Sequence, residues 1–208
     1  MIIAVDGPAA SGKGTIARAL AARFGLPHLD TGLLYRAVAL TVKRLELDPA
    51  KEADAVAATD FSEAILTDPG LRDDTIGRMA SVVSAHPLVR SALMQRQKRF
   101  AAQLGGAVLD GRDIGTVIAP QADVKLFVRA TPAVRARRRH AELRARGETV
   151  SYDKVLADLR ARDQRDTNRS VAPLRAAEDA ALLDTSFLSV DAAIDRAIAL
   201  VEERIGRR

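Results

Sequence analysis

The first fifteen residues constrain the fold more than any other stretch of the chain. Met1-Ile-Ile-Ala-Val-Asp6 is a short apolar run rich in β-branched residues, and it enters Gly7-Pro8-Ala9-Ala10-Ser11-Gly12-Lys13-Gly14-Thr15 without a break. Apolar residues then recur at helical spacing, at Ile16, Leu20 and Phe24. Strand, glycine-rich turn, lysine and helix in that order make a phosphate-binding loop. Gly7 and Gly12 let the backbone curl so that several N–H groups converge on one anion. The helix starting near Lys13 adds the positive end of its dipole, and the lysine ammonium reaches the outer phosphates of a nucleoside triphosphate.

The spacing of glycines and lysine is complete, but the next residue is Gly14 and the hydroxyl comes one place later, at Thr15. That shift argues against a GTP-dependent switch, and no Asn-Lys-x-Asp segment for reading guanine occurs in the chain. A plain glycine-rich turn with a surface lysine is the competing reading. The buried-type strand before the loop and the helix after it favour phosphate binding.

With 208 residues, the chain can form one α/β domain with mobile insertions. The absence of cysteine excludes disulfides, thiolate metal sites and cysteine nucleophiles. His28, His86 and His140 lack the spacing of zinc ligands. No apolar run approaches the ~18 residues of a membrane span, and the N-terminus lacks a basic leader pattern. A cytoplasmic protein with no membrane partner is therefore expected, and a monomer. The net charge of +5 suits either nucleic acid or small polyanions, but 3% aromatic residues leave little for base stacking. Nucleic acid is not an expected partner.

Gly25 and Pro27 stop the first helix. Residues 26–29 read as a second strand. Asp30 or Thr31 then caps a helix with Leu34, Val38, Val42 and Leu45 on its apolar face. Tyr35 and Arg36 thus fall near the carboxyl end of a strand, where open α/β sheets bind ligands. Residues 46–75 carry turn signals and read as short helices and turns. Two helices follow over 75–85 and 87–104, divided at His86-Pro87, the second with Val89, Leu93, Phe100 and Leu104 on one side. Residues 107–109 and 123–128 have strand character. The Thr131-Pro132 pair starts a helix carrying Arg135, Arg137, Arg138, Arg139, Arg144 and Arg146, most of which read as solvated. Another helix runs from Ser151 to Arg169, residues 181–183 form a last strand, and Ser189 caps a final helix facing inward with Ile194, Ile198, Val201 and Ile205. The alternation predicts an α/β fold, with a five-stranded parallel sheet flanked by helices. The irregular regions 31–90 and 138–170 read as insertions on a single domain.

Transfer of phosphate between two anions needs cations beyond the loop lysine, because donor and acceptor repel and the moving group carries charge. Arginine suits this role through its permanent charge and its two-pronged grip on phosphate oxygens. Arg36, Arg90, Arg112, Arg162, Arg165 and Arg169 come from several segments and are candidates. In Asp110-Gly-Arg112-Asp113, which follows a core strand, Asp110 can orient magnesium-bound water, Arg112 can reach phosphate, and Asp113 can accept from an exocyclic amine of a base. In Arg162-Asp-Gln-Arg165-Asp166-Thr-Asn-Arg169 the charged residues recur every three or four positions and share one helix face. A solvated helix end with internal ion pairs is the alternative there.

The nine-residue glycine loop, Asp30-Thr-Gly-Leu-Leu-Tyr-Arg36, Asp110-Gly-Arg-Asp113 and Arg162-Asp-Gln-Arg-Asp-Thr-Asn-Arg169 together resemble bacterial cytidylate kinases, as do Val171-Ala-Pro-Leu174 and the span from Ala80-Ser81 to Arg90. The resemblance covers nearly the whole chain. It implies transfer of the ATP γ-phosphate to CMP or dCMP with Mg²⁺, by a core (1–30, 91–137 and 171–208), an acceptor region (31–90) and a lid (138–170). Residues Gly7 to Thr15 would hold ATP, and Lys13, Arg112, Arg162 and Arg169 would act on the transferring phosphate. Thr31, Tyr35, Arg36, Ser81, Arg90, Arg112, Asp113, Arg162, Asp166 and Arg169 would bind CMP. Among these, Ser81, Arg112 and Asp113 would read cytosine, and Arg36, Arg90 and Arg112 would grip the acceptor phosphate. Thr15 and Asp110 are the candidates for magnesium, directly or through water. Thr31 stands where the family usually has serine. Between Asp60 and Ser81 the chain lacks the small β-rich insert of longer members, which predicts a reduced cover over the acceptor. A kinase preferring UMP, AMP or another small acceptor is the alternative.

Overall fold

The computed structural model describes residues 1–206. Five parallel strands, β1 (Ile2–Asp6), β2 (His28–Asp30), β3 (Ala107–Gly111), β4 (Val124–Arg129) and β5 (Ala181–Asp184), form one sheet in the order β2-β3-β1-β4-β5. Around it run α1 (Lys13–Phe24), α2 (Thr31–Arg44), α3 (Glu52–Ala57), α4 (Asp74–Val83), α5 (Pro87–Ala101), α6 (Pro132–Ala145), α7 (Tyr152–Asn168) and α8 (Val190–Gly206). Residues 46–75 hold α3 and two turns of 3-10 helix, Glu63–Thr67 and Pro69–Arg72, and no strand pair. No helix among the described residues is long and apolar enough to cross a membrane.

The central strands are buried on both faces, as parallel strands covered by helices must be. One face packs Ile3, Val5, Val108 and Leu126 against Ile16 and Leu20 of α1 and Ala197 and Val201 of α8. On the opposite face, Ala4 and Leu109 meet Ile114, Ile118 and Ala101. Two further clusters lie beyond the sheet. Leu34, Val38, Ile76, Val83 and Val89 hold α2, α4 and α5 together, and Leu143, Val155 and Leu159 join α6 to α7, with Ala9 of the loop beneath them.

Register decides where the chemistry lies. Asp6 pairs with Gly111 and Asp30 with Asp110, so the carboxyl ends of β1, β2 and β3 are level. The three loops leaving them open along one edge of the sheet.

Several boundaries differ from expectation. The second strand is His28–Asp30, later than 26–29, because the Leu26 amide turns back to Ala21 and Pro27 has no N–H to give. α5 ends at Ala101, and Leu104, expected on its apolar side, is fully exposed where the chain turns at Gly105-Gly106. The buried line of α8 is Ala193, Ala197 and Val201, and Ile205, in its last turn, is exposed. Ser189 does cap that helix, accepting from the Ala192 amide at 3.2 Å. A wide helical turn over Ile114–Ile118 had no signal in the pattern; its first amides, from Ile114 and Gly115, each donate to the Asp6 carboxylate at 2.8 Å. Burial, partly offset by those two amides, pushes the Asp6 carboxyl up to about 7.

Candidate active site

The loop after β1 is shaped by its backbone. A Cβ on Gly7 would stand 2.1 Å from the Val128 carbonyl oxygen, so β4 leaves room only for glycine. Ala10 adopts a left-handed φ of 58°, a strained conformation for a residue with a side chain and one the sequence did not signal. Gly12, also left-handed, caps α1, and the Thr15 and Ile16 amides both donate to its carbonyl. Helix starts leave their first N–H groups unsatisfied, and here they face the mouth of the loop.

The loop is braced from outside. Arg138 donates to the Ser11 carbonyl at 3.4 Å and to the Thr185 carbonyl at 2.6 Å, and Thr185 donates to Ser11 at 2.9 Å. Arg135, buried, donates to the Ala9 carbonyl and forms a two-pronged pair with Asp163 at 3.0 and 2.6 Å. Arg139 reaches Asp74 at 2.8 Å, and Arg146 donates to the Arg72 carbonyl at 3.0 Å. The expectation that most arginines of this helix are solvated is therefore corrected. Arg137, Arg144 and Arg146 are exposed, while Arg135, Arg138 and Arg139 tie α6 to the loop, to α7, to Thr185 and to α4. Helix periodicity cannot show this, because the partners lie in distant segments.

A cavity of about 470 Å³ opens beside the loop. It is lined by Ala9, Ala10 and Lys13 from the loop, by Thr31, Tyr35 and Arg36 from α2, and by Ser81 and Arg90 from α4 and α5. Arg112 and Asp113 from the end of β3, and Arg162, Asp166 and Arg169 from α7, close it. The candidates outside its lining are Gly7, Pro8, Ser11, Gly12, Gly14, Thr15 and Asp110.

At one end the cations converge. Burial and the nearby Arg112 lower the Lys13 ammonium to about 8, against the pull of Asp110 and Asp30. Arg162 is lowered to about 10 by burial and by Arg112, and its Nε is buried with no partner. Arg36 is lowered by burial and by Arg139. Burial also opposes the charge on Arg112, but Asp166, accepting from its Nε at 2.8 Å, outweighs it and holds the guanidinium above its ordinary value. So much positive charge in one desolvated place is a site built for an anion.

Beside it, Asp30 caps α2 by accepting from the Gly32 amide at 2.9 Å, and burial together with Asp110 raises its carboxyl. Thr31 spends its hydroxyl on the Asp110 carbonyl at 2.8 Å. His28, which the sequence offered only as a non-ligand, lies with its Nε2 2.7 Å from Asp110 Oδ1. The other oxygen, Oδ2, comes within 3.7 Å of where a Cβ on Gly14 would stand. No three acidic or imidazole groups cluster as a metal cage among the described residues. Magnesium needs no such cage, since it takes one or two protein oxygens along with phosphate and water. Asp110, on β3 beside Gly14 of α1, and the Thr15 hydroxyl, which accepts from Arg18 at 3.4 Å, are oxygens of that kind.

The far end is built differently. Asp113 is buried between two guanidiniums, with Arg90 on Oδ2 and Arg169 on Oδ1 at 3.3 Å. Arg90 also lies over the Tyr35 ring, 5.5 Å from its centre, and donates to the Ser84 carbonyl. Arg90, expected to act with Arg36 and Arg112, lines the same cavity as they do and is engaged there by Asp113. Arg36 instead donates to the Leu71 and Asp73 carbonyls at 2.6 and 3.2 Å. A Cβ on Gly77 of α4 would come within 2.7 Å of its guanidinium. Ser81 is buried, and its hydroxyl accepts from Arg165 at 2.5 Å.

The family model described as cytidylate kinase matches residues 3–203. A protein of Xanthobacter autotrophicus named cytidylate kinase is 58% identical over 204 residues, 98% of each chain. One of Nitrobacter winogradskyi with the same name is 57% identical, covering 97% of this chain and 96% of its own. A third, from Rhodopseudomonas palustris, is 54% identical over 100% and 99% of the two chains. Among solved structures, an uncharacterized protein from Eubacterium ventriosum superposes with a TM-score of 0.56 over 98% of both chains at 16% identity, a likeness of fold. The chain belongs to the cytidylate kinase family.

Proposed function

We infer that this protein transfers the γ-phosphoryl group of ATP to CMP or dCMP, giving ADP and CDP or dCDP. The observation that carries this reading is a single cavity with a cationic end at Lys13, Arg112 and Arg162 and a hydrogen-bonding end at Asp113, Arg90 and Ser81. One end suits two phosphates that must approach each other, the other a base.

In this reading the loop amides and Lys13 hold the β- and γ-phosphates. Arg36, Arg112 and Arg162 bring the acceptor phosphate up against them. The transferring group spreads its charge over three equatorial oxygens, and these fixed cations stabilise it without reorganising. The unpaired Nε of Arg162 is a donor that a phosphate oxygen satisfies. Asp166 keeps Arg112 in place, and Arg169, on the same helix face, steadies Asp113. Magnesium, held by Asp110 and Thr15, directly or through water, would add positive charge between the phosphates. Asp113 accepts from the cytosine amine; Arg90 pins that carboxylate, and Tyr35 backs Arg90. Residues 31–90 and 138–170 close over the substrates and keep water from the γ-phosphate. In this reading the protein acts as a monomer in the cytoplasm on soluble nucleotides.

An ADP-release assay with CMP, dCMP, UMP and AMP tests the reading. The highest kcat/KM is expected with CMP or dCMP. A higher value with UMP or AMP would replace the acceptor assignment and leave the phosphoryl-transfer chemistry standing.

A further inference from the structure

The face of α4 that looks toward the lid carries Asp74, Arg78 and Ser81, spaced at helical intervals. Each meets a residue from α6 or α7. Asp74 accepts from Arg139 at 2.8 Å, Arg78 lies 3.9 Å from Asp158, and the Ser81 hydroxyl accepts from Arg165 at 2.5 Å. The chain between Asp60 and Asp73 supplies only turns of 3-10 helix, so the lid helices themselves complete this wall of the cavity.

We propose that Arg165 is a positioning residue that orients the Ser81 hydroxyl toward the acceptor base, so that base selection depends on the seating of α7. The proposal rests on the reading of Ser81 as a contact to the base. A serine hydroxyl has one proton to give and two lone pairs. A guanidinium only donates, so it takes one lone pair and excludes the hydroxyl proton from its own direction. The proton and the second lone pair are left for the cavity, in a restricted arrangement. Ser81 is 2% exposed, and its own backbone carbonyl is engaged by the Ser84 hydroxyl at 3.1 Å. Among the described residues no carboxylate pairs with Arg165, in contrast to Arg90, Arg112, Arg135 and Arg139. Its charge is spent on a neutral hydroxyl, where it polarises the O–H and fixes its rotation.

The test is a double-mutant cycle read with two acceptors. Wild type, Ser81→Ala, Arg165→Ala and the double variant are assayed for kcat/KM with CMP and with UMP. Each single change should lower the CMP value by about tenfold and narrow the CMP-to-UMP ratio by the same factor, as loss of one charge-assisted hydrogen bond implies. The double variant should be no worse than Ser81→Ala, because residues acting as a unit are not additive. Arg165→Gln, which keeps an N–H donor, should recover most of the ratio. If Arg165→Ala weakens CMP and UMP equally, Arg165 serves as a general phosphate or fold contact and the proposal falls. Multiplicative losses in the double variant overturn it as well. An unchanged ratio in Ser81→Ala overturns the reading of Ser81 itself and the proposal with it.

Discussion

In the function proposed, the loop between β1 and α1 and the cationic pocket facing it would hold the same kind of ligand by opposite means. The loop is nine consecutive residues that would bind through their main-chain amides, with Lys13 the one charged side chain among them. The pocket has no backbone of its own. Its cations come from α2, the end of β3, α6 and α7; Arg36, Arg112 and Arg139 are each kept in place by a partner from another segment, and Arg162 keeps a buried Nε without one. A backbone site tolerates side-chain change where conformation is kept. A pocket of side chains fails when any one support is removed. The first is local in sequence, the second only in space.

The sharpest break in this comparison is Lys13→Ala. Removing one preorganised electrostatic contact should lower kcat by at least about a hundredfold, the scale of about 2.7 kcal/mol or more. Thermal unfolding at neutral pH should be unchanged or raised, since the loop's shape comes from Gly7, Gly12 and their neighbours and the buried ammonium opposes folding there. Wild-type turnover would defeat the assignment of the loop.

At the other end, Asp113→Asn should narrow the CMP-to-UMP ratio of kcat/KM by about tenfold, because an amide can present either polarity to the base. Here the pocket predicts more than the loop does. Asp113 is the counter-ion of both Arg90 and Arg169, so this variant should also melt at a lower temperature. A shifted ratio with unchanged melting would mean the two arginines find another partner.

Gly77→Ala separates support from stability. Alanine is the better helix former, by about 1 kcal/mol, so α4 itself gains. The added Cβ nevertheless pushes on the Arg36 guanidinium, and kcat/KM for CMP should fall by about tenfold, the cost of one weakened charged contact. Unchanged kinetics would show that Arg36 moves aside freely.

The smallest effect is in protons. Lys13 sits at about 8 in the folded protein against an ordinary 10.5. The empty enzyme therefore binds fewer protons than the unfolded chain between these values, and this group favours folding as pH rises through that window. Bound triphosphate restores the charge. Calorimetry in buffers of different ionisation enthalpy should show partial proton uptake on ATP binding above pH 8, absent in Lys13→Ala.

What the sequence made legible follows the same division. The loop, the Asp30 and Ser189 caps and the alternation of strands and helices are contiguous patterns, and they could be read directly. So could the identity of the charged residues at Asp110-Gly-Arg-Asp113 and on the last turns of α7. Their grouping could not. Arg90 pairs with Asp113, His28 with Asp110 and Arg135 with Asp163, across 23, 82 and 28 positions. Periodicity carries no information at such separations, and a helix face rich in arginine looks solvated until the opposing carboxylates are known. Leu104 and Ile205 fail for a related reason: helical spacing gives a direction, but not where the neighbouring element stops.

The central claim is that one cavity holds donor and acceptor together, under both irregular segments. Its most direct test is hydrogen exchange with a bisubstrate ligand, adenosine and cytidine joined through five phosphates, compared with ATP alone in the absence of turnover. The account predicts that ATP alone slows exchange mainly in the loop and the start of α1, whereas the joined ligand slows it there and across 31–90 and 138–170. Protection by the joined ligand that stays within the loop would contradict it.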